Sequence, residues 1–143
     1  MLLNSYTNKL YIGTFGSGLN IYDFKTKKFS YFLFDDSNQD SISNNNINFI
    51  FQDSRKILWI GTNVGLNIFE ELKGKFIRYS NNVNSKNSLS ENNTSSICED
   101  DKGLILISTS KNRLSCIDFE NEIYTIFNNE KNIKRSLLNN VGQ

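Results

Sequence analysis

The 143-residue sequence predicts an all-β chain built from repeated four-stranded antiparallel sheets, and three observations carry that reading. The phrase Lys-Ile-Leu-Trp-Ile-Gly-Thr (56 to 62) with Gly-Leu-Asn-Ile-Phe (65 to 69) recurs as Lys-Leu-Tyr-Ile-Gly-Thr (9 to 14) with Gly-Leu-Asn-Ile-Tyr (18 to 22), and more weakly as Leu-Ile-Leu-Ile-Ser-Thr (104 to 109) with Arg-Leu-Ser-Cys-Ile (113 to 117). The copies keep one spacing: Gly13 lies 48 residues before Gly61, Trp59 lies 47 before Leu106, and Leu66 lies 48 before Leu114. A fixed period in this range marks an array of like supersecondary units. No stretch of ten or more residues has the apolar periodicity of a helix.

The second unit shows the pattern most clearly. Ile47, Phe49 and Phe51 alternate with Asn48, Ile50 and Gln52, a period-two pattern of β-branched and aromatic residues that predicts a first strand. Asp53 to Lys56 is a polar turn. Ile57 to Thr62 is a second strand with Leu58 and Ile60 on one face and Trp59 on the other. A strand with no polar face is buried on both sides. Asn63 to Gly65 turns into a third strand over Leu66 to Glu70, and Leu72 to Lys75 turns into a fourth over Phe76 to Ser80.

Sheets that are apolar on both faces satisfy one another when stacked face to face around an axis. The architecture this predicts is a β-propeller, whose closed forms have four to eight blades. The expected units are 9–34 (blade 1, strands two to four), 46–80 (blade 2) and 94–128 (blade 3), with 137–143 opening a further first strand, so that 1–143 is a partial propeller domain. On this phasing the chain enters at a second strand and leaves in a first, in the manner of a shifted blade that could complete the opening sheet. Between units stand Asp-Ser-Ile-Ser-Asn-Asn (40 to 45), Asn-Ser-Leu-Ser-Glu-Asn (87 to 92) and Arg-Ser-Leu-Leu-Asn-Asn (135 to 140). Each frames an apolar residue with Ser and Asn, as an anchored loop leading into the next first strand would.

Composition excludes several functions. Sixteen basic against fifteen acidic residues leave no field to attract nucleic acid or an anionic membrane. No apolar run reaches the roughly 18 residues of a membrane span, and Met1 to Lys9 lacks the features of a secretory signal. The absence of His removes the commonest proton-transfer group and metal ligand. Asp53 and Glu99-Asp100-Asp101 recur at one turn and read as turn chemistry, not as a calcium loop. Neither a metal nor a cofactor is expected. Lys25 to Lys28 reads as a solvated hairpin tip. Cys98 and Cys116 align with Phe51 and with Ile21 and Ile68, so both are expected as free, buried thiols. On the first and third strands of one sheet they would lie about twice 4.8 Å apart, too far for a disulfide.

Leu58-Trp-Ile-Gly-Thr62 with Gly65-Leu-Asn67, and Asn87-Ser-Leu-Ser90 leading to Ile97-Cys-Glu-Asp-Asp-Lys-Gly103, resemble the two-component regulator propeller repeat. The likeness covers residues 9 to 143, and the third unit departs from it at Leu106 and Ser108. The resemblance implies the sensor region of a bacterial hybrid histidine kinase, placed outside the cytoplasm and recognising carbohydrate breakdown products. Expressed as given, without a signal peptide, the chain would stay in the cytoplasm.

A ligand would meet the face carrying the loops from strand two to three and from strand four to the next strand one. The residues expected there include Phe15 and Ser17, Asn63, and Lys111, Asn112 and Arg113. They combine an aromatic ring with polar hydrogen-bonding groups, the chemistry a sugar requires, against the plainer reading as solvated turns. The alternatives are a protein-interaction scaffold and a propeller lyase or glycosidase; the latter needs two carboxylates at a set separation, for which no pair stands out. Three blades fall short of closure, so association with a second copy or with further blades is expected.

Overall fold

The computed structural model describes residues 1–82, 84, 88–110, 113–118 and 123–127. They form three four-stranded antiparallel sheets in the strand orders β1-β2-β3-β4, β5-β6-β7-β8 and β12-β11-β10-β9. The first comprises β1 (Leu2–Asn4), β2 (Lys9–Gly13), β3 (Leu19–Asp23) and β4 (Lys28–Phe32). The second comprises β5 (Ile47–Gln52), β6 (Leu58–Thr62), β7 (Gly65–Glu70) and β8 (Lys75–Tyr79). The third comprises β9 (Thr94–Glu99), β10 (Ile105–Thr109), β11 (Leu114–Asp118) and β12 (Ile123–Phe127). These are three propeller blades, each a meander of short strands.

The phase differs from the sequence reading at one end. Leu2, Leu3 and Asn4 pair with Tyr11, Leu10 and Lys9, so the opening sheet has its own first strand where the repeat was expected to begin at the second. Only three residues form that strand and they carry no echo of Ile47 to Gln52, which is why periodicity passes over it. The further first strand expected over 137–143 lies outside the described residues.

Burial follows the two-faced pattern of the second strands. All five residues of β6 are buried, with Leu58 and Ile60 turned toward the first sheet and Trp59 toward the third. One core joins Tyr11, Leu19 and Ile21 to Leu58, Ile60, Phe69 and Phe76. The other joins Trp59, Leu66 and Ile68 to Ile105, Ile107 and Ile117. Ile42 and Leu89, the apolar residues of the Ser-framed loops, are buried plugs in the first and second core. These loops are anchored as the motif predicted.

Close backbone packing sets residue size along the second strands. A Cβ on Gly61 would lie 2.1 Å from the ring of Phe49, its cross-strand partner. In the third sheet Ser108 stands at the Gly61 place, and its partner is Ser96 where the second sheet has Phe49. The ring disappears where the Cβ arrives, and the two serine hydroxyls bond at 2.8 Å. That exchange keeps the weakened third copy a regular blade.

The turn after each first strand carries an acceptor whose role depends on the second strand. Asp53, 3% exposed, accepts from Arg55 Nη2 at 2.9 Å, from the Ile57 amide at 2.8 Å and from Trp59 Nε1 at 3.0 Å. A carboxylate therefore fixes the turn and satisfies the buried indole together. Tyr11, at the Trp59 place, sends its hydroxyl to Glu71 of the next blade at 2.7 Å. Leu106 has no polar atom, and Asp100 is left to cap its own turn through the amides of Lys102 and Leu104.

Cys98 corrects the expectation of two buried thiols. It is exposed, whereas Cys116 is buried. Both lie in one cross-strand row with Leu106 between them, on the face turned away from the second sheet, and Phe51 at the Cys98 place is covered because a third sheet follows it. Burial first, then the nearby charges of Asp100, Asp118 and Cys98, pushes the Cys116 thiol up to about 11. It therefore holds its proton, and its low reactivity, at any pH below that value. With iodoacetamide at pH 8, mass spectrometry should show rapid labelling of Cys98 and labelling of Cys116 only on addition of denaturant. Asp53→Ala strands the indole and the Ile57 amide and should cost about 3 kcal/mol, read as a lower urea midpoint.

Candidate functional site

Each blade ends its second strand in the same device. Thr14, Thr62 and Thr109 turn a hydroxyl onto the carbonyl of Gly18, Gly65 and Arg113 at 2.9, 2.9 and 3.3 Å, closing the loop between strands two and three. In the second sheet the loop is tight because Gly65 adopts φ of 136°, where a Cβ would meet the Tyr79 carbonyl at 2.6 Å. Asn63 and Val64 are pushed outward as a result. The first sheet has a longer loop that presents Phe15 and Ser17, both exposed.

The connections between blades come to the same face and are stitched to these loops. The Gly16 and Gly18 amides both donate to Asn45 O, at 3.1 and 3.0 Å; Asn63 N donates to Asn46 O at 3.3 Å, and Ser110 N to Asn93 O at 3.0 Å. Beneath them lies a buried polar knot. Asn67 accepts from the Ser43 amide at 2.9 Å and donates to Ser43 Oγ at 2.9 Å and to Ile60 O at 3.1 Å, while Ser43 and Thr62 share a hydroxyl bond of 2.9 Å. In the third sheet Ser115 replaces Asn67 and takes over the same task, accepting from the Ser90 amide and donating to Ser90 Oγ, each at 3.0 Å. The loop surface thus stands on satisfied buried groups, as a low-dielectric interior demands.

Between the second and third blades this face opens into a cavity of about 390 Å³. Asn63 and Arg113 line it with Asn81, Ser90, Glu91, Asn92 and Asn93. Asn92 accepts from the Asn81 amide at 2.6 Å, Asn81 donates to Leu89 O at 2.7 Å, and Arg113 donates to Ser90 O at 3.2 Å, so the walls are held in place by one another. Among the described residues no side-chain hydrogen bond ties Asn63. The groove is polar, lined by amides, a guanidinium and a carboxylate.

Of the six residues singled out from the sequence, the structure brings Asn63 and Arg113 to one cavity. Phe15 and Ser17 stand on the same face in the first blade and outside that cavity, and Phe15 makes an isolated bridge to Asn46. Lys111 and Asn112 lie outside the described residues. Sequence reasoning missed Asn81, Glu91, Asn92 and Asn93. The signal for Glu91 and Asn92 was present in the Asn87 to Asn92 motif, which reads as a loop anchor until its far side is seen to line the groove, while Asn81 and Asn93 stand outside it.

A larger cleft, about 580 Å³, lies on the opposite face between the first and second blades, walled by Tyr6, Leu58, Phe69 and Leu72 among others. Its carboxylates are engaged: Glu71 with Lys9 and the Tyr11 hydroxyl, Glu70 with Lys73. Burial and then the Glu71 hydrogen bond hold the Tyr11 phenol well above its ordinary range, so it stays a neutral donor. The smaller groove is the better candidate, because every residue lining it is polar and it lies on the face formed by the loops that join strands and blades. Among the described residues no three Cys, Asp or Glu groups cluster as a metal site would require, and no helix is long and apolar enough to cross a membrane.

Stacked four-stranded sheets with anchored inter-blade loops place the chain in the propeller class. Residues 41–64, from the anchored loop through β6 to the Thr62 turn, match the family model described as the two component regulator propeller. The chain carries that repeat. No curated protein matches it. Among solved structures, the extracellular domain of BT3049 from B. thetaiotaomicron, named a hybrid two component system, superposes with a TM-score of 0.73 at 23% identity, over 87% of this chain and 17% of that one. Two structures of the extracellular domain of BT4673 from the same organism, named a one component system in one and a hybrid two component system in the other, give 0.66 and 0.67 at 24% and 23% identity. Each covers 82% of this chain and 15% of that one. The chain thus spans less than a fifth of these relatives, and at this identity the likeness establishes the fold. Asn67→Ala should strip the partner from the buried Ser43 amide and cost about 2 kcal/mol, visible as a lower urea midpoint with the β-sheet spectrum retained.

Proposed function

We propose that this chain is a ligand-sensing segment of a propeller in a bacterial two-component signalling receptor, acting outside the cytoplasm and without catalysis of its own. The observation that carries the reading is the groove between the second and third blades, where Asn63, Asn81, Glu91, Asn92 and Arg113 turn polar groups onto one cavity. Planar amides, a guanidinium and a carboxylate are the side chains that pair with the vicinal hydroxyls of a sugar, and the ligand class proposed is an oligosaccharide. The repeat matched over residues 41–64 and the extracellular placement of the similar domains support the sensory context.

Sensing requires that the ligand bind one arrangement of the receptor better than another, since equal affinity shifts nothing. A groove formed by two neighbouring blades suits this, because its width follows their relative angle. Groups that hydrogen-bond hydroxyls also leave a poor site for an apolar molecule, whose entry would strip them of water without replacement. Output in such a receptor would come from a kinase region joined to the propeller.

Differential scanning fluorimetry of the chain against a panel of plant and bacterial oligosaccharides tests the reading. A true ligand at a hundred times its Kd should stabilise the fold by about 2.7 kcal/mol and raise the melting temperature. Arg113→Ala should weaken that ligand by about tenfold, or 1.4 kcal/mol, without lowering the melting temperature of the free chain. No shift with any saccharide would remove the sugar reading.

A further inference from the structure

The cleft between the first and second blades, on the face opposite the groove, holds chemistry that the sugar reading does not use. Its volume of about 580 Å³ falls inside the range of about 300 to 1,000 Å³ typical of small-molecule sites. Leu58, Phe69 and the ring of Tyr11, all buried, give it an apolar floor. Tyr6 is 94% exposed and Leu72 fully exposed, and both line the same cleft. An apolar body seated there would cover floor and rim together, and removing that surface from water is the source of the gain.

The walls are set in advance. Asn4 Oδ1 accepts from the amides of Tyr6 and Thr7, each at 3.0 Å, and so fixes the turn that carries the Tyr6 ring. Across the blades Asn4 Nδ2 donates to Gln52 Oε1 at 3.2 Å, and Gln52 Nε2 donates to the Lys56 carbonyl at 3.3 Å. One run of bonds therefore ties the Tyr6 turn of the first blade to the Lys56 turn of the second. A site held in place before binding loses less to ordering when a ligand arrives.

Charge in the cleft is unbalanced. Glu71 is engaged by Lys9 at 2.5 Å and by the Tyr11 hydroxyl at 2.7 Å, and Glu70 by Lys73 at 3.1 Å. Lys56 also lines the cleft, and among the described residues its ammonium has neither an ion pair nor a hydrogen-bond partner. An apolar floor beside one unpaired cation calls for a ligand with an apolar body and one negative charge.

We propose that this cleft is a second binding site, one that takes a small aromatic carboxylate. The ring covers Leu58 and Phe69 beside Tyr6, and the carboxylate pairs with Lys56. A neutral sugar would leave the apolar floor uncovered by apolar surface, and a hydrocarbon would leave the ammonium unpaired. The inference stands apart from the sugar reading, because the polar groove opens on the other face and shares no lining residue with this cleft.

An NMR titration of the isotope-labelled 143-residue chain with benzoate, phenylpropionate and naphthoate is the test. At least one acid should bind saturably, shifting the amides of Tyr6, Lys56 and Leu72 while those of Asn63 and Asn92 stay in place. That acid should bind about fivefold tighter than its primary amide, the size of effect an exposed ion pair gives, and raised salt should reduce the difference. Lys56→Asn should bring the acid down to the affinity of the amide, whereas Tyr6→Ala should weaken acid and amide alike. Lys56→Asn leaves the turn unstrained, because Asn8 and Gly103 hold the corresponding place in the other blades at φ of 56° and 80°, against 69° for Lys56. An unchanged melting temperature checks that the variant is folded. No saturable binding of any of the three acids, shifts confined to another surface, equal affinity for acid and amide, or a preference that survives Lys56→Asn would each overturn the proposal.

Discussion

The structure depends on one constraint, that a strand apolar on both faces must be covered on both faces. Leu58 to Thr62 is the clearest case, buried at every residue, with its odd and even side chains in different cores. A single sheet cannot meet that demand. Stacking like sheets meets it for the middle blade and passes it outward to the next. The packed cores, the anchored loops and the bare aromatic face of the first blade are successive consequences of the same requirement.

Polar groups drawn into such a stack have to be provided for locally, and the three blades solve this in three ways. Trp59 brings an N–H into the core, and Asp53 from its own turn receives it. Tyr11 brings a hydroxyl and finds Glu71 in the neighbouring blade. Leu106 brings nothing, and the turn at Asp100 closes on itself. The anchored loops follow the same logic: Asn67 in one blade and Ser115 in another hold a buried backbone amide by different side chains. Because these fittings leave the buried atoms satisfied, the loop surface above them can vary in length and composition without unsettling the blade. Phe15, Asn63 and Arg113 occupy equivalent loops and present quite different chemistry.

Much of the fold was legible because the period and the alternation are local properties of the chain. Strands two to four of every blade, their pairing order and the anchoring by Ile42 and Leu89 follow from patterns a few residues long repeated at one spacing. The first strand of the opening blade escaped because three residues carry no period, and its assignment rests on pairing with Tyr11, Leu10 and Lys9. Cys98 was misplaced for a related reason. Repeat alignment assigns it the environment of Phe51, but burial at that position comes from the following blade, which the alignment does not supply. Two of the groove's seven lining residues, Asn63 and Arg113, were legible as loop residues on one face; the Asn81 and Asn92 walls were not, since their approach depends on a connection folding back over the blade ends.

By itself the sequence determined that the chain is all β, that its units have four strands and a common period, and which residues on those strands are core, because alternation and repetition are written in the order of residues. Only the tertiary structure decided which loops share a cavity, which thiol is covered, and that the first blade turns an aromatic row toward solvent. Those are properties of how whole sheets sit on one another, and they arise from contacts between residues that no short-range pattern links.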